Sequence, residues 1–527
     1  MTTVAPPPDS LPESLPESLP ESLPESLPEP LPEDSHPDTS AVPVAQRAVR
    51  GGLWVAAASY WAIGFGFAAN ILLTRLLTPE MYGDYALATF FATLFQLRTK
   101  FGLAYAYAQE RSVTGEAIGT VFTLDVLLGI GGLAIGLVAA PILLAFGYAW
   151  AVVAMMMVLL AVALIDSVLS VFMTTLDREL QFKPGSVIGS VILPLSYFPA
   201  FWLALTGRGS LSLISQAVSF GLLTLGFYVV FIRHNMRWMF RLRWRFSRSL
   251  ARRFISFGAL SGVAAFLSSM VSQTDNFVVG TRNGAAELGY YDRAYRTAQW
   301  PNILLNTLLV RSALFTYAQV KDDAARLRKS VSMVLWLIVT MAAPIALALF
   351  LTAPDLILLI YGERWLPAVP SLRLLVVAAL LRPVWDNTLA MFIGTGRPRA
   401  PIWIGVLQLA IILGLGWVLA GMFGPPGVGV AVIVAYLVAL AAAYRLTADQ
   451  LQLDLVGLFV KPLLAAVLVV AGYLVLDHLL PFEAWPLWLR VAGKGAYAAV
   501  GYYAVSFLLQ PQATLERLRY IRRLLGR

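Results

Sequence analysis

The 527-residue chain is 58% hydrophobic and only 13% charged, with a mean hydropathy of +0.72. No water-soluble protein of this length could bury so much apolar surface, so a soluble protein is excluded. The chain has no cysteine, which excludes disulfides, thiolate metal sites and thiol nucleophiles. Its three histidines, His36, His234 and His478, are too scattered for a metal site. With no phosphate-binding glycine loop and no catalytic triad in a suitable context, we predict no enzyme, no catalytic residue, no metal and no cofactor.

Residues 1–46 form a low-complexity acidic arm. They contain nine acidic residues and no lysine or arginine, and the unit Ser-Leu-Pro-Glu recurs from Ser10 to Glu29. A proline at every fourth position is incompatible with a helix and the acidic groups repel one another, so we predict a disordered arm. We expect it to be dispensable, with a docking arm or spacer as the alternative. The rest of the chain holds 39 basic and 21 acidic residues, a net charge of +18.

From Gly51 to about Leu509 the chain contains about fourteen stretches of roughly 20 apolar residues, each long enough to cross a bilayer as a helix. We therefore predict an all-α, polytopic integral membrane protein. The predicted spans are 51–74, 84–108, 117–145, 148–174, 185–206, 209–232, 254–280, 293–317, 330–351, 369–393, 400–421, 425–445, 457–478 and 487–509. The predicted organisation is the arm (1–46), a six-helix bundle (47–232), a basic cytoplasmic linker (233–253), a second six-helix bundle (254–447), two additional helices (448–510) and a basic cytoplasmic tail (511–527).

Basic residues set the orientation of the spans. If the amino terminus lies in the cytoplasm, an even number of spans places both termini there, and most basic residues then fall in cytoplasmic segments. The segments on the other side at 146–148 and 422–425 contain none. The exception is segment 281–296, which would lie outside and yet holds three arginines, Arg282, Arg293 and Arg296.

The predicted linker 233–253 carries eight arginines interleaved with four aromatic residues. This composition also occurs in nucleic-acid-binding segments. Next to a membrane span, however, it favours a segment lying on anionic lipid headgroups. We therefore expect membrane lipids, and no nucleic acid, as its partner.

A short motif occurs twice. Thr-Arg-x4-Glu begins at Thr74 and again at Thr281, and each copy is followed by Gly-x-Tyr, at Gly83 and at Gly289. Six predicted spans separate the copies, so the two halves would run parallel through the membrane. Two parallel repeats around a central cavity are one architecture of alternating-access transporters. The alternative is chance similarity between two short loops.

Several charged residues lie at predicted bilayer depth, where a charge is costly and usually faces a cavity or a partner. Arginines and lysines outnumber acids among them, which favours a cavity for an anionic substrate because guanidinium groups bind phosphate oxygens in pairs. Asp275 and Asp292 would hold these arginines or carry a coupling cation, such as a proton or sodium. Each single charge is also explained by an intramembrane ion pair or a side chain reaching the interface. The strongest candidates for the cavity are Arg98, Arg282, Arg293 and Arg296.

Aromatic residues crowd the start of the eighth predicted span, at Tyr290, Tyr291, Tyr295 and Trp300. Sugars dock against aromatic faces, but tyrosine and tryptophan also mark the interface of any membrane protein. We favour the interface role for most of them.

Four stretches of the chain resemble bacterial oligosaccharide flippases, the polysaccharide exporters of the multidrug/oligosaccharidyl-lipid/polysaccharide superfamily. The first of these, residues 73–85, is similar to their first-loop signature. The resemblance covers about residues 47–510, and the acidic arm has no counterpart in it. The other three stretches are residues 177–183, residues 274–280 together with 288–295, and residues 361–368.

The resemblance implies a protein of the bacterial inner membrane that moves an undecaprenyl-diphosphate-linked oligosaccharide from the cytoplasmic to the periplasmic leaflet. A polysaccharide polymerase or export complex would be a further partner. The related lipid II flippases bind the diphosphate with arginines; Arg98 and the pair Asp292-Arg293 match them in context, whereas residues 53–73 lack their first-span arginines. The alternative function on the same fold is a cation-coupled multidrug exporter. We expect Arg293→Lys to impair transport if Arg293 grips a diphosphate, and to be tolerated if it pairs with Asp275 or Asp292.

Overall fold

The computed structural model describes residues 44–97, 101–108, 110, 114–178, 181, 183–235, 245–305, 311–397, 399–479 and 484–524. The chain forms two units, Met1–Arg47 and Ala48–Arg527, and nearly all of the described residues belong to the second. Residues 1–43 of the predicted arm and residues 236–244 of the predicted linker lie outside the described residues.

The described part of the second unit is mostly helical and contains no strand, which confirms the predicted all-α class. Apolar runs of 20 to 30 residues favour helices here because in lipid the backbone must satisfy its own hydrogen bonds. In chain order the helices are α1 (Val44–Leu76), α2 (Pro79–Phe95), α3 (Leu103–Ala108), α4 (Gly115–Ala145), α5 (Trp150–Arg178), α6 (Lys183–Leu205), α7 (Gly209–Asn235), α8 (Arg248–Val271), α9 (Thr274–Asn283), α10 (Ala285–Ala298), α11 (Trp300–Leu305), α12 (Arg311–Gln319), α13 (Ala324–Ile360), α14 (Val369–Gly394), α15 (Arg399–Phe423), α16 (Pro425–Leu451), α17 (Lys461–Leu479), α18 (Leu487–Leu509) and α19 (Pro511–Leu524).

Within the described ranges, eleven helical segments are long and apolar enough to cross a membrane. They coincide with eleven of the fourteen predicted spans, which confirms a polytopic membrane protein. The other three predicted spans, at 84–108, 293–317 and 487–509, are also mostly helical where described but fall short of those limits. A total of fourteen spans therefore stays a prediction.

Both copies of the repeated motif enter a helix earlier than we predicted. Helix α2 begins at Pro79, because proline fits the first position of a helix, and α10 begins at Ala285, directly after a turn at Gly284. Gly284 has a φ of +95°, a conformation that side chains disfavour. Residues 285–292, which we had placed before the eighth predicted span, therefore lie in α10 together with Arg293 and Arg296.

The two copies of the motif pack against each other. A Cβ atom added at Gly83 would lie 1.8 Å from the carbonyl oxygen of Ala285, and one added at Gly289 would lie 1.9 Å from that of Pro79. Gly289 follows Gly83 by 206 positions, and Ala285 follows Pro79 by the same number. The contact is therefore reciprocal, with equivalent residues of the two halves exchanging places. This geometry supports a true internal repeat and not chance similarity.

The halves also touch through a second close backbone contact, which involves α8. A Cβ atom at Gly258, in α8, would lie 2.2 Å from the carbonyl oxygen of Phe101. Nearby, Arg253 forms an ion pair with Glu110. The structure thus joins the two halves in two places.

A buried ionic network attaches α18 to α13. Asp355 is 7% exposed, and it accepts hydrogen bonds from Lys494 at 2.6 Å and Arg490 at 3.5 Å. Neither Lys494 nor Asp355 was among the candidate residues named from the sequence. The network explains how a helix with two basic residues is held against the apolar bundle.

We expect Asp355→Ala to lower the amount of folded protein. Removing one partner of a buried ion pair leaves the other charge unpaired and costs about 3–5 kcal/mol. The measurement is protein abundance in membranes and thermal unfolding in detergent. The double variant Asp355→Ala, Lys494→Met is the control and should recover part of the loss. Equal stability of Asp355→Ala and the wild-type protein would contradict this role.

Candidate functional site: an arginine–aspartate cluster between the halves

Asp292 is the hub of the charged cluster in the second half. It is 3% exposed, and its carboxylate accepts hydrogen bonds from the neighbouring Arg293, at 2.5 and 3.1 Å, and from Arg296 one turn later, at 3.0 and 3.2 Å. One buried carboxylate thus holds two guanidinium groups, and the cluster carries a net positive charge. Such a cluster needs a further negative partner, or water, in a low-dielectric setting.

Arg293 is turned into the protein. Its side chain is 2% exposed, and its Nη1 donates to the Oδ1 atom of Asn70 at 2.5 Å and to Thr74 at 3.4 Å. Its guanidinium carbon also lies 4.0 Å from the centre of the Tyr82 ring. Arg293 therefore links the second half to α1 and α2 of the first half.

Arg296 is the accessible member of the cluster. Its side chain is 49% exposed, although Asp292, the carboxylate with which it pairs, is buried. It lies within electrostatic range of Tyr82 and Tyr85 on α2 and of Tyr197 on α6. This guanidinium therefore lies at a surface shared by the two halves, and it can meet an anion without leaving Asp292.

Polar side chains from both halves continue this surface. Gln273 donates to Thr93 of α2 at 3.3 Å, which is a direct contact between the halves. Arg382 on α14 donates to the hydroxyl groups of Tyr295, at 2.6 Å, and Ser272, at 3.2 Å. Among the described residues, no carboxylate lies within ion-pair distance of Arg382. Arg382 is a basic residue of this surface that was not among the strongest candidates from the sequence, because its sequence neighbourhood carries no repeat or motif.

Asp275 occupies a separate buried position on α9. It is 2% exposed, and its two carboxylate oxygens accept hydrogen bonds from the hydroxyl of Tyr291, at 3.0 Å, and from the amide of Asn276, at 2.9 Å. Arg382 lies within electrostatic range but does not form an ion pair with it. Asp275 is therefore held by neutral donors, unlike Asp292.

Of the two remaining predicted arginines, the structure places one, Arg282, and it is not part of the cluster. Arg282 is exposed at the end of α9, and its guanidinium stacks on Trp417 of α15 at 5.6 Å. Arg98 lies outside the described residues. The structure thus brings together Arg293, Arg296 and Asp292, and it places Arg282 against a different helix.

The predicted aromatic group divides into separate contacts. Tyr291 binds Asp275, Tyr295 binds Arg382, and Trp300 pairs with Phe67 of α1 at a ring distance of 4.8 Å. Tyr290 packs against Trp365 at 5.9 Å. Tyr291 and Tyr295 thus form hydrogen bonds with charged side chains, and Tyr290 packs within the protein. The spacing of these residues in the sequence alone could not assign them a sugar-binding role.

Three of the four motif stretches meet at Trp365. This side chain is 1% exposed and donates to the backbone carbonyl of Thr74 at 3.0 Å. Its ring packs against those of Tyr82, Tyr290 and Tyr361. The residues that carry the resemblance thus build the contact between the halves near Arg293.

Comparison with known proteins agrees with this architecture. By structure the chain is similar to the lipid II flippase MurJ in an inward closed conformation, with a TM-score of 0.69 at 11% identity over 88% of this chain and all of that one. It is also similar to an inward-facing multidrug resistance MATE transporter, with a TM-score of 0.57 at 16% identity over 74% and 94% of the two chains. At these identities the similarity establishes the fold.

Sequence comparison adds relatives in polysaccharide biosynthesis. The chain is 22% identical to the lipopolysaccharide biosynthesis protein WzxC of Escherichia coli K12, over 72% of this chain and 77% of that protein. It is 24% identical to the succinoglycan biosynthesis transport protein ExoT of Rhizobium meliloti, over 68% and 72%. The family model described as "Polysaccharide biosynthesis protein" matches residues 72–370, more than half of the chain. The chain therefore belongs to this polysaccharide biosynthesis protein family.

Proposed function

We propose that this protein is a flippase that moves lipid-linked oligosaccharide units across a membrane for the synthesis of a surface polysaccharide. The observation that carries the proposal is Arg296, a half-exposed guanidinium between the two halves of a transporter fold, held there by a buried carboxylate. The family membership and the named transport protein among the relatives support transport over catalysis. They also favour this substrate class over the small hydrophobic drugs of a multidrug exporter.

The carrier that we propose is undecaprenyl diphosphate in the bacterial inner membrane, with both termini of the protein in the cytoplasm. A diphosphate offers several oxygens to a guanidinium fork, whereas the apolar tail would stay in the lipid beside the protein. Arg296 is the proposed first contact for the diphosphate, and Arg382 is a second cation on the same polar surface. Arg98 and Arg282 keep their predicted roles as further cavity cations, and a polysaccharide polymerase or export complex remains a proposed partner.

The experiment is reconstitution of the purified protein into liposomes that contain a fluorescent undecaprenyl-diphosphate oligosaccharide. An added reagent that quenches or modifies only the outer leaflet reports how much lipid has crossed. We expect crossing to depend on the protein and to fail for a fluorescent cationic drug offered in the same vesicles. Drug transport without lipid movement would refute the proposal and favour the exporter.

Flipping alone gains no free energy, so we propose that a proton or sodium ion drives it through Asp275, a buried carboxylate whose hydrogen-bond partners among the described residues are neutral. Asp275→Asn can still accept from Tyr291 but cannot exchange a proton or neutralise a cation. We expect this variant to be present at normal abundance and to lose the dependence of transport on an imposed ion gradient. Tyr291→Phe, which keeps the carboxylate, is the matched control and should retain the dependence. Wild-type gradient dependence in Asp275→Asn would exclude Asp275 as the coupling site.

A further inference from the structure

The strongest link between the two halves lies where α2 meets α10. We propose that the four residues of the reciprocal contact, Gly83, Pro79, Gly289 and Ala285, together with the bond from Arg293 to Asn70, form a latch that closes the periplasmic end of the central surface and opens to release the substrate. We call it the glycine latch. Its direction and its substrate rest on the proposed function, whereas its geometry does not.

The two helix backbones approach closely because Gly83 and Gly289 have no side chains. With Cβ atoms only 1.8 and 1.9 Å from opposing carbonyl oxygens, any residue other than glycine at position 83 or 289 would force the helices apart. Backbone approaches of this kind involve weak Cα–H···O contacts, worth roughly 0.5–1 kcal/mol each. Such a contact seals the end of the surface and yet separates at low cost.

The polar part of the latch also joins the two halves and yet separates at low cost. Arg293 reaches across to an amide, Asn70, and its own carboxylate partner, Asp292, stays on the same helix. Opening therefore breaks a hydrogen bond to a neutral group and not a buried ion pair. Asp292 also accepts hydrogen bonds from Arg296. A phosphate that attracts Arg296 would therefore also alter the bonds between Asp292 and Arg293, because both arginines share this one carboxylate.

A latch must open because the other end is also closed in this structure. At that end Arg253 pairs with Glu110, and Gly258 packs on the backbone of Phe101. Alternating access requires that one end separates while the other holds. The two contacts would therefore open in turn, and the glycine latch is the one near segment 281–296, which the predicted topology places outside.

The natural absence of cysteine allows a direct test. A single reporter, Ala86→Cys, lies on α2 one turn beyond Gly83 and is 4% exposed in the wild-type context. Its reaction with a membrane-impermeant maleimide, applied to intact cells, measures how often the latch is open. We expect Gly83→Ala and Gly289→Ala to raise the labelling rate at least about tenfold, a shift in population that needs only about 1.4 kcal/mol. Gly66→Ala is the matched control, because no atom lies within 4 Å of a Cβ added there.

Substitutions of Asn70 test the latch without introducing a clash. Asn70→Ala removes the acceptor of Arg293 and should raise the labelling rate. Asn70→Asp places a carboxylate against the guanidinium, which strengthens the bond, and should lower both the labelling rate and transport. A residue with a merely structural role would not shift the labelling rate in opposite directions in the two variants.

The outcomes separate this proposal from the proposed function. Labelling does not require that any lipid is transported, so the latch is tested even if the protein moves another substrate. Unchanged labelling in Gly289→Ala and Asn70→Ala, with normal abundance of both, would overturn the latch. An increase confined to inverted membrane vesicles would also overturn it, because the contact would then face the cytoplasm. An equal increase in Gly66→Ala would show that the reporter responds to general loosening, which likewise contradicts the latch.

Discussion

Asp292→Ala is expected to abolish transport and to lower the abundance of the protein. The substitution would leave Arg293, which is 2% exposed, without its only carboxylate partner among the described residues. Removing one member of a buried ion pair costs about 3–5 kcal/mol, a large part of the stability of most proteins. It would also release Arg296, so the accessible cation loses its position.

Membrane abundance by immunoblot, thermal unfolding in detergent and the vesicle assay together measure these effects. Asp292→Asn keeps a hydrogen-bond acceptor at the same place but loses the charge. Its stability should therefore lie between those of the wild-type protein and Asp292→Ala. The control is Arg326→Ala, which breaks the exposed ion pair with Asp323 at 3.2 Å and should change stability very little. If Asp292→Ala were as stable and active as the wild-type protein, the hub assigned to Asp292 would be wrong.

The structure also changes what an Arg293→Lys variant can show. From the sequence, tolerance of lysine would have indicated a structural pair, and loss of transport would have indicated phosphate binding. In the structure the guanidinium uses its fork inside the protein, since Nε and Nη2 donate to Asp292 while Nη1 donates to Asn70. A lysine cannot make these bonds together, so both roles now predict impairment. Labelling of the Ala86→Cys reporter in an Arg293→Lys background separates them, because only loss of the latch raises it.

Much of the fold could be predicted because it depends on local chemistry. The length and apolarity of each segment predicted the helices, since the bilayer imposes both properties. The starts of α2 and α10 were misplaced for a related reason: their first turns carry Glu80 and Glu287, and hydropathy cannot distinguish a polar helix turn inside the protein from a loop. The turn signals at Pro79 and Gly284 would have corrected both boundaries.

The candidate site was harder to predict because burial depends on long-range packing. Arg282, Arg293 and Arg296 fall within fifteen positions of one another, yet one contacts Trp417, one is enclosed by the first half and one is half-exposed. Spacing on α10 explains part of this, since positions three and four apart share a face. Which face meets the first half is decided by the reciprocal glycines, and these contacts involve residues about 200 positions apart.

The motifs that identify the family also carry a physical meaning here. Thr74, Tyr82, Tyr290 and Trp365 come from three of the similar stretches and form one buried aromatic and hydrogen-bonded contact between the halves. None of these four side chains is a charged group at the central surface. Their shared arrangement supports a role in closing and aligning the halves. Substrate choice would then depend on residues outside the motifs, such as Tyr197 and Arg382.

Arg296→Ala is the variant that most directly tests substrate binding. Because Arg296 is half-exposed and Asp292 keeps Arg293 as a partner, we expect normal abundance and normal thermal unfolding. A charge-assisted contact to a phosphate contributes about 1.5–3 kcal/mol, so transport of the diphosphate-linked oligosaccharide should fall by roughly ten- to a hundredfold. Arg296→Lys keeps the charge without the fork and should retain an intermediate rate.

The matched control is Arg326→Ala, which removes an exposed arginine from the same half of the protein, where the guanidinium pairs with the exposed Asp323. Initial rates in the vesicle assay, at several lipid concentrations, show whether the loss lies in apparent affinity. A neutral polyprenyl lipid without the diphosphate provides a second comparison, since its movement, if any, should not depend on Arg296. An Arg296→Ala protein that transports the diphosphate lipid at the wild-type rate would remove this residue from the site. Arg382, the arginine at the polar surface that donates to the hydroxyl groups of Tyr295 and Ser272, would then be the first residue to substitute.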